Sequence, residues 1–137
     1  MAIHLAVMHE PYLARVLAGE KTIESRFLRV RAAPYDRVAP GDRIWLKRAG
    51  GPIVAVARVG AVRQYADLSP GQVVALIDQF RDQLCLDEDF ARKARGCRYA
   101  VLIWLSDVHV LAAPVPYPRR DRRGWVVVDI GRSDGDP

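Results

Sequence analysis

The stretch from Ile53 to Tyr65 constrains the fold more than any other part of the chain. It follows the turn cluster Gly50, Gly51 and Pro52 and reads as one long strand, yet Ala55, Ala57, Gly60 and Ala61 keep it slender. Small residues let a strand curve tightly, which suits a small closed barrel better than a flat sheet. The turn Pro40-Gly41-Asp42 leads into a strand from Arg43 to Lys47, so the two strands form a hairpin. Ile3 to Met8, Thr22 to Phe27, Tyr99 to Leu105, Val108 to Val115 and Trp125 to Ile130 supply the remaining strands.

Helices interrupt this pattern. Pro11 suits the first turn of a short helix running through Leu17, with Gly19 as its stop. Ser69 and Pro70 begin a second helix whose stripe is Val73, Val74, Ile77, Phe80 and Leu84. A third covers Asp87 to Arg95, with acids first, bases last and Gly96 after them, as the helix dipole favours. Leu28 to Pro40 is an arginine-rich surface loop broken by Pro34 and Pro40. The order predicts an α+β fold with a curled sheet, one domain over residues 1–130 and a flexible tail over 131–137.

With 137 residues, 50% of them apolar, the chain can bury a core without staples. Cys85 and Cys97 lack paired C-x-x-C spacing and read as buried thiols. His4, His9 and His109 form no metal-ligand pattern, so neither a metal nor a cofactor is expected. His9 stands close in sequence to the Gly19 to Arg26 stretch and is a candidate cleft residue. The N-terminus lacks the features of a signal peptide and no segment has the apolar length of a membrane helix, which points to the cytoplasm. A formal charge of +5 favours polyanionic partners. Its distribution is uneven: arginines crowd positions 26–48 and 119–123, while acids gather at 78–89.

Gly19-Glu20-Lys21-Thr22-Ile23-Glu24-Ser25-Arg26 mixes several binding or reactive groups in one short segment. On a strand, Thr22, Glu24 and Arg26 share a face, and Lys21 at the turn can lean over it. Two arrangements satisfy that pattern. In one, a cleft of mixed charge holds a base edge through the carboxylate and a phosphate or carbonyl through the cations. In the other, Glu24 and Arg26 form a surface ion pair beside a solvated Lys21. Lys47, at the end of its strand, is a candidate for the border of the same cleft. Arg119, Arg120, Arg122 and Arg123 precede Trp125 and are candidates for phosphate contacts, with Trp125, like Trp45 and Trp104, mainly in the core.

Gly19, Lys21, Glu24 and Arg26 match the Gly-x-Lys-x-x-Glu-x-Arg motif of ASCH domains residue by residue. The preceding Glu10-Pro11-Tyr12, the Pro40-Gly41-Asp42 turn, the middle helices and the Tyr99 to Leu105 strand fall in that family's order, so the resemblance spans most of the chain. It implies a small PUA-like β-barrel with short helices around it and a cleft over the motif that receives RNA, a nucleotide or a modified nucleoside. With the residue reading above, the ligand contacts expected are Thr22, Arg26, Lys47, Arg122 and Arg123, with no cofactor, no membrane association, and a monomer or weak dimer. Some ASCH proteins are hydrolases, either deacetylating N4-acetylcytidine or acting as ribonucleases, and Lys21 with Glu24 would carry such chemistry here. The chain departs from the deacetylase branch in one respect. Glu24 stands where that branch has a nucleophilic Thr, so a hydroxyl would come from Thr22 or Ser25.

Overall fold

The computed structural model describes residues 1–118, 122–128 and 137. Six strands run in chain order as β1 (Ile3–Met8), β2 (Ile23–Leu28), β3 (Arg43–Arg48), β4 (Ile53–Tyr65), β5 (Tyr99–Val115) and β6 (Trp125–Val128). They form one sheet in the spatial order β2-β5-β4-β3-β1-β6. Among the described residues only β1 and β3 are parallel; every other neighbouring pair is antiparallel. A helix α1 (Tyr12–Leu17) follows β1, and α2 (Pro70–Gln79), α3 (Arg81–Leu84) and α4 (Glu88–Ala94) lie between β4 and β5. The result is the curled, partly closed α+β barrel that the strand and turn pattern predicts.

The curvature comes from small residues and bulges in the long β4/β5 hairpin. Val59 pairs with Leu105 and Ala61 with Trp104, so Gly60 is an extra residue on β4. Arg58 pairs with Ser106 and Val56 with His109, which places the extra residue on β5 in that interval. Asp107 there takes a left-handed conformation, with φ of 49°. Two strands, Tyr99 to Leu105 and Val108 to Val115, are therefore one strand: the backbone bends at Asp107 and resumes pairing. The second helix likewise divides at Phe80 into α2 and α3. Ser69 caps α2 in a reciprocal box with Gln72, as Ser69-Pro70 predicts.

The sheet's concave side holds Met8, Leu13, Val16, Ile44, Leu46, Val59, Val101 and Ile103. The helical layer packs Ile23, Ala100 and Leu102 against Val73, Leu76, Ile77, Leu84 and Ala94. Trp45 and Trp125 are buried and Trp104 is half-buried. Cys97 is buried, whereas Cys85 is half-buried, because it ends α3 with φ of 52° and its thiol turns toward the Glu20 and Asp82 carbonyls. Among the described residues, no helix is long and apolar enough to cross a membrane. Arg119, Arg120, the expected tail over residues 131–136 and the last two residues expected in β6 lie outside the described residues.

A buried polar network ties the strand ends together. Trp125 Nε1 donates to His4 Nδ1 (3.0 Å), which puts the His4 proton on Nε2, where it is donated to Asp42 (2.8 Å). Asp42 also accepts from the backbone N–H groups of Ala2 and Ala39, both at 2.9 Å. Burial works to raise the Asp42 pKa, but these hydrogen bonds outweigh it and the carboxyl titrates below its ordinary range. A depressed folded-state pKa adds stability above the unfolded value of about 3.9, and that stability is lost as pH falls toward the folded value. Asp42→Asn is therefore expected to cost about 2–3 kcal/mol in urea unfolding at neutral pH. Its stability should also fall less steeply than the wild type's on acidification below about pH 4.

Candidate functional site

Gly19 creates the site's first bend. With φ of +79° it ends α1, and the N–H groups of Glu20 and Lys21 both return to the Arg15 carbonyl at 3.0 Å. This tight reversal directs the Lys21 side chain inward rather than to solvent. Lys21 is 2% exposed, and its Nζ donates to the Leu84 carbonyl at 2.6 Å. It lies 3.6 Å from Glu24 Oε1 and 5.5 Å from the centre of the Tyr12 ring.

Glu24, 6% exposed, is held on both oxygens. Oε1 accepts from the Ser25 N–H (2.9 Å) and Oε2 from Arg26 Nη2 (3.0 Å). Arg26 Nη2 also donates to the Val7 carbonyl (3.0 Å), and Nη1 to the Gly124 carbonyl (3.2 Å), with the guanidinium 5.2 Å above the Trp125 ring. β2 is one edge of the sheet and β6 the other, and among the described residues no backbone ladder joins them. Arg26 spans that gap from β2 to β1 and to the residue before β6, so one side chain performs the closure that hydrogen-bonded strands perform in a full barrel.

These residues open into a cavity of about 370 Å³. Its walls include Met8, Tyr12, Phe27, Leu28, Leu86 and Phe90, while Lys21, Glu24, Ser25, Arg26 and His9 supply the polar groups. Phe90 meets both Tyr12 and Phe27 edge to face, with centroids 5.6 and 6.4 Å apart. Asp87 positions that wall by capping α4 through the Phe90 N–H (2.8 Å). Ser25 is 4% exposed, and its Oγ has no hydrogen-bond partner among the described residues. An unpaired buried polar atom costs free energy unless a ligand or water completes it, so Ser25 Oγ, together with the likewise unpaired Arg26 Nε, marks where the cavity expects a polar group. A second hollow, about 430 Å³, lies between α2 and α4 and is lined by charged residues such as Asp78 and Arg81, which pair with each other.

The structure thus joins Lys21, Glu24 and Arg26 and adds Ser25, and it places His9 on the wall. It does not bring in the other candidates. Thr22 is exposed and precedes β2, because its N–H is taken by the Gln83 carbonyl and its carbonyl by Leu105. Lys47 is buried one strand away, opposite Val7, with Nζ 3.2 Å from the Arg48 carbonyl. Arg122 and Arg123 are exposed just before Gly124 and do not line the cavity. The aromatic wall from Phe27 and Phe90 carried no local signal, since each residue fits an ordinary apolar stripe. Only Tyr12, beside the motif, stood near enough in sequence to suggest it.

A mixed, partly closed barrel with a charged pocket at its seam defines the class, and solved structures give the fold its name. The chain has the ASCH fold: it is similar to the ASCH protein of Zymomonas mobilis, at 18% identity and a TM-score of 0.68, over 93% of this chain and 88% of that one. A mutant form of the same Zymomonas mobilis protein aligns at 16% identity and a TM-score of 0.70, over 93% and 89%. The N-terminal domain of Staphylothermus marinus McrB aligns at 12% identity and a TM-score of 0.50, over 84% and 76%. No protein-family model and no curated protein sequence matches the chain.

Burial pushes the Lys21 ammonium pKa down; the Glu24 carboxylate, with a smaller effect from Cys85, opposes this, and the Arg26 charge reinforces it. The chain has three lysines, Lys21, Lys47 and Lys93, so side-chain NMR can follow them individually. Lys21 is expected to titrate below the ordinary lysine value. Glu24→Gln should move Lys21 further down, because it removes the charge that favours the ammonium; an unchanged or higher midpoint would show that Glu24 does not set it.

Proposed function

We propose that the cavity binds a nucleobase of RNA or of a modified nucleoside or nucleotide, with the base among Tyr12, Phe27 and Phe90 and its polar edge toward Glu24 and Ser25. The observation that carries this reading is the unpaired Ser25 hydroxyl beside a fixed carboxylate in an aromatic-walled cavity. A volume of about 370 Å³ suits a small organic ligand. Glu24 is an acceptor suited to an amino edge such as the cytosine N4 group. Arg26 shapes the pocket, since both of its terminal nitrogens already serve Glu24 and two backbone carbonyls. Flat bases also offer apolar faces to such walls, which a free phosphate would not.

A second reading, hydrolysis, is favoured by the lowered Lys21 pKa. Neutral Lys21 would take a proton from a water as that water attacks the acyl carbon of a substrate such as N4-acetylcytidine. Collapse of the tetrahedral adduct then breaks the C–N bond, the proton passes to the leaving amine, and cytidine and acetate depart. The Glu24 carboxylate would steady the ammonium while it carries the proton.

Calorimetric titration with cytidine tests the binding reading. Ser25→Ala is expected to weaken binding about tenfold, the loss of one net hydrogen bond of roughly 1–1.5 kcal/mol. Glu24→Gln should weaken it further, and Thr22→Ala should leave it unchanged. Equal affinity across the first two variants would remove the pocket from consideration. Incubation of the wild type and Lys21→Ala with N4-acetylcytidine and short single-stranded RNA, followed by mass spectrometry, tests hydrolysis. Turnover lost in the variant supports an enzyme, and intact substrates in both samples exclude hydrolysis of these two.

A further inference from the structure

Exposed arginines that the motif does not include follow the cavity's lining residues at the end of β2. Phe27 and Leu28 are its last lining residues on that strand, and Arg29 follows directly. The Arg98 N–H donates to the Leu28 carbonyl (3.0 Å), so the segment before β5 is fastened to the same strand end. Arg29 lies flat against it: a side chain at Gly96 would come within 3.0 Å of Arg29 Nη2. Arg31 is held 5.5 Å from the centres of both the Tyr35 and Tyr99 rings, which meet edge to face at 5.6 Å. Arg95 and Arg98 complete the group, and all four guanidinium-bearing residues are exposed.

Arg95 also borders the hollow lined by Asp78, Asp87 and Glu88, whereas carboxylates are few around Arg29, Arg31 and Arg98. Asp67 approaches Arg98 at 4.0 Å, and Asp36 is engaged with Gln64 at 3.0 Å. Among the described residues, Arg29, Arg31 and Arg95 have no ion pair with a carboxylate. A solvated charged helix face looks different: on α4, Asp89 answers Arg92 at 3.4 Å and Lys93 at 3.3 Å. Like charges gathered without partners repel one another, and a polyanion relieves that repulsion. Two tyrosines that orient Arg31 leave its donor fork free for a phosphate and present further aromatic edges beside it.

We propose that Arg29, Arg31 and Arg98 form a phosphate track continuous with the cavity, so that the ligand of this protein is a single-stranded RNA segment rather than a free nucleoside. The inference rests on the base-binding reading of the cavity. Glu24 lies in β2 and Arg29 directly after its end, five residues on and about 16 Å apart along the backbone at strand rise, a separation that an extended run of nucleotides spans. One base would enter the pocket while the flanking backbone follows the arginines.

The test is fluorescence anisotropy with a labelled single-stranded RNA of about ten nucleotides, between about 50 and 200 mM salt. The triple variant Arg29→Gln/Arg31→Gln/Arg98→Gln is compared with wild type, with cytidine titrated in parallel. The track requires RNA affinity to fall at least about tenfold and the log–log salt slope to shrink by about 2, while cytidine affinity stays the same. Lysine at the same three positions should restore the slope, which a merely structural role of the arginines would not predict. Equal RNA affinity and slope in wild type and triple variant would overturn the track, and the response of cytidine to Ser25→Ala would still judge the pocket separately. RNA binding that needs the arginines but ignores Glu24→Gln would overturn the continuity between track and cavity. An RNA that wild type does not bind overturns the proposal outright.

Discussion

The site depends on the way Arg26 closes the barrel. A curled sheet with two free edges must either pair them or cover them, and here the gap is bridged by one guanidinium that reaches two backbone carbonyls and one carboxylate. Arginine suits this position because its planar fork serves several acceptors at once, which the point charge of lysine does not. Glu24 then becomes the common partner of Arg26 and Lys21, two cations brought from opposite sides. The seam of the barrel and the charged floor of the cavity are therefore the same group of atoms.

Such an arrangement is costly in isolation. Three ionisable side chains stand largely out of water with only one negative charge among them, and burial of charge is repaid only where hydrogen bonds complete it. Backbone carbonyls at the ends of elements supply much of that completion: Leu84 at the end of α3, Val7 near the end of β1, and Gly124 just before β6. The helices between β4 and β5 thus contribute more than a cover. They bring a carbonyl to Lys21 and place Leu86 and Phe90 across the opening from β2. Among the described residues, the Ser25 hydroxyl and Arg26 Nε are the polar atoms of this floor that the protein leaves without a hydrogen-bond partner.

Much of the architecture was legible because it rests on local chemistry. Small residues and glycine announced the curvature of β4, Ser69-Pro70 announced a capped helix, and Gly19 announced the reversal before Lys21. Errors arose where local signals had a tertiary competitor. Ser106-Asp107 looks like a turn, yet pairing with β4 on both sides makes it a bulge in one strand. Alternation put Thr22 on the face of Glu24, but the Gln83 and Leu105 backbones hold it outside β2. His4 and Asp42 gave no sign of their link, since a histidine in an apolar strand and an aspartate in a turn each have an ordinary local explanation.

By itself, the sequence determined which residues could share the site: the spacing of Gly19, Lys21, Glu24 and Arg26 follows from a helix stop and a strand, and both depend on near neighbours. Tertiary structure alone decided between a surface ion pair and a buried cluster. The partners that settle this are remote in the chain, with Leu84 lying 63 residues from Lys21 and Gly124 lying 98 from Arg26. Periodicity reports which face a side chain takes, but burial and hydrogen-bond completion depend on what the rest of the chain brings to that face.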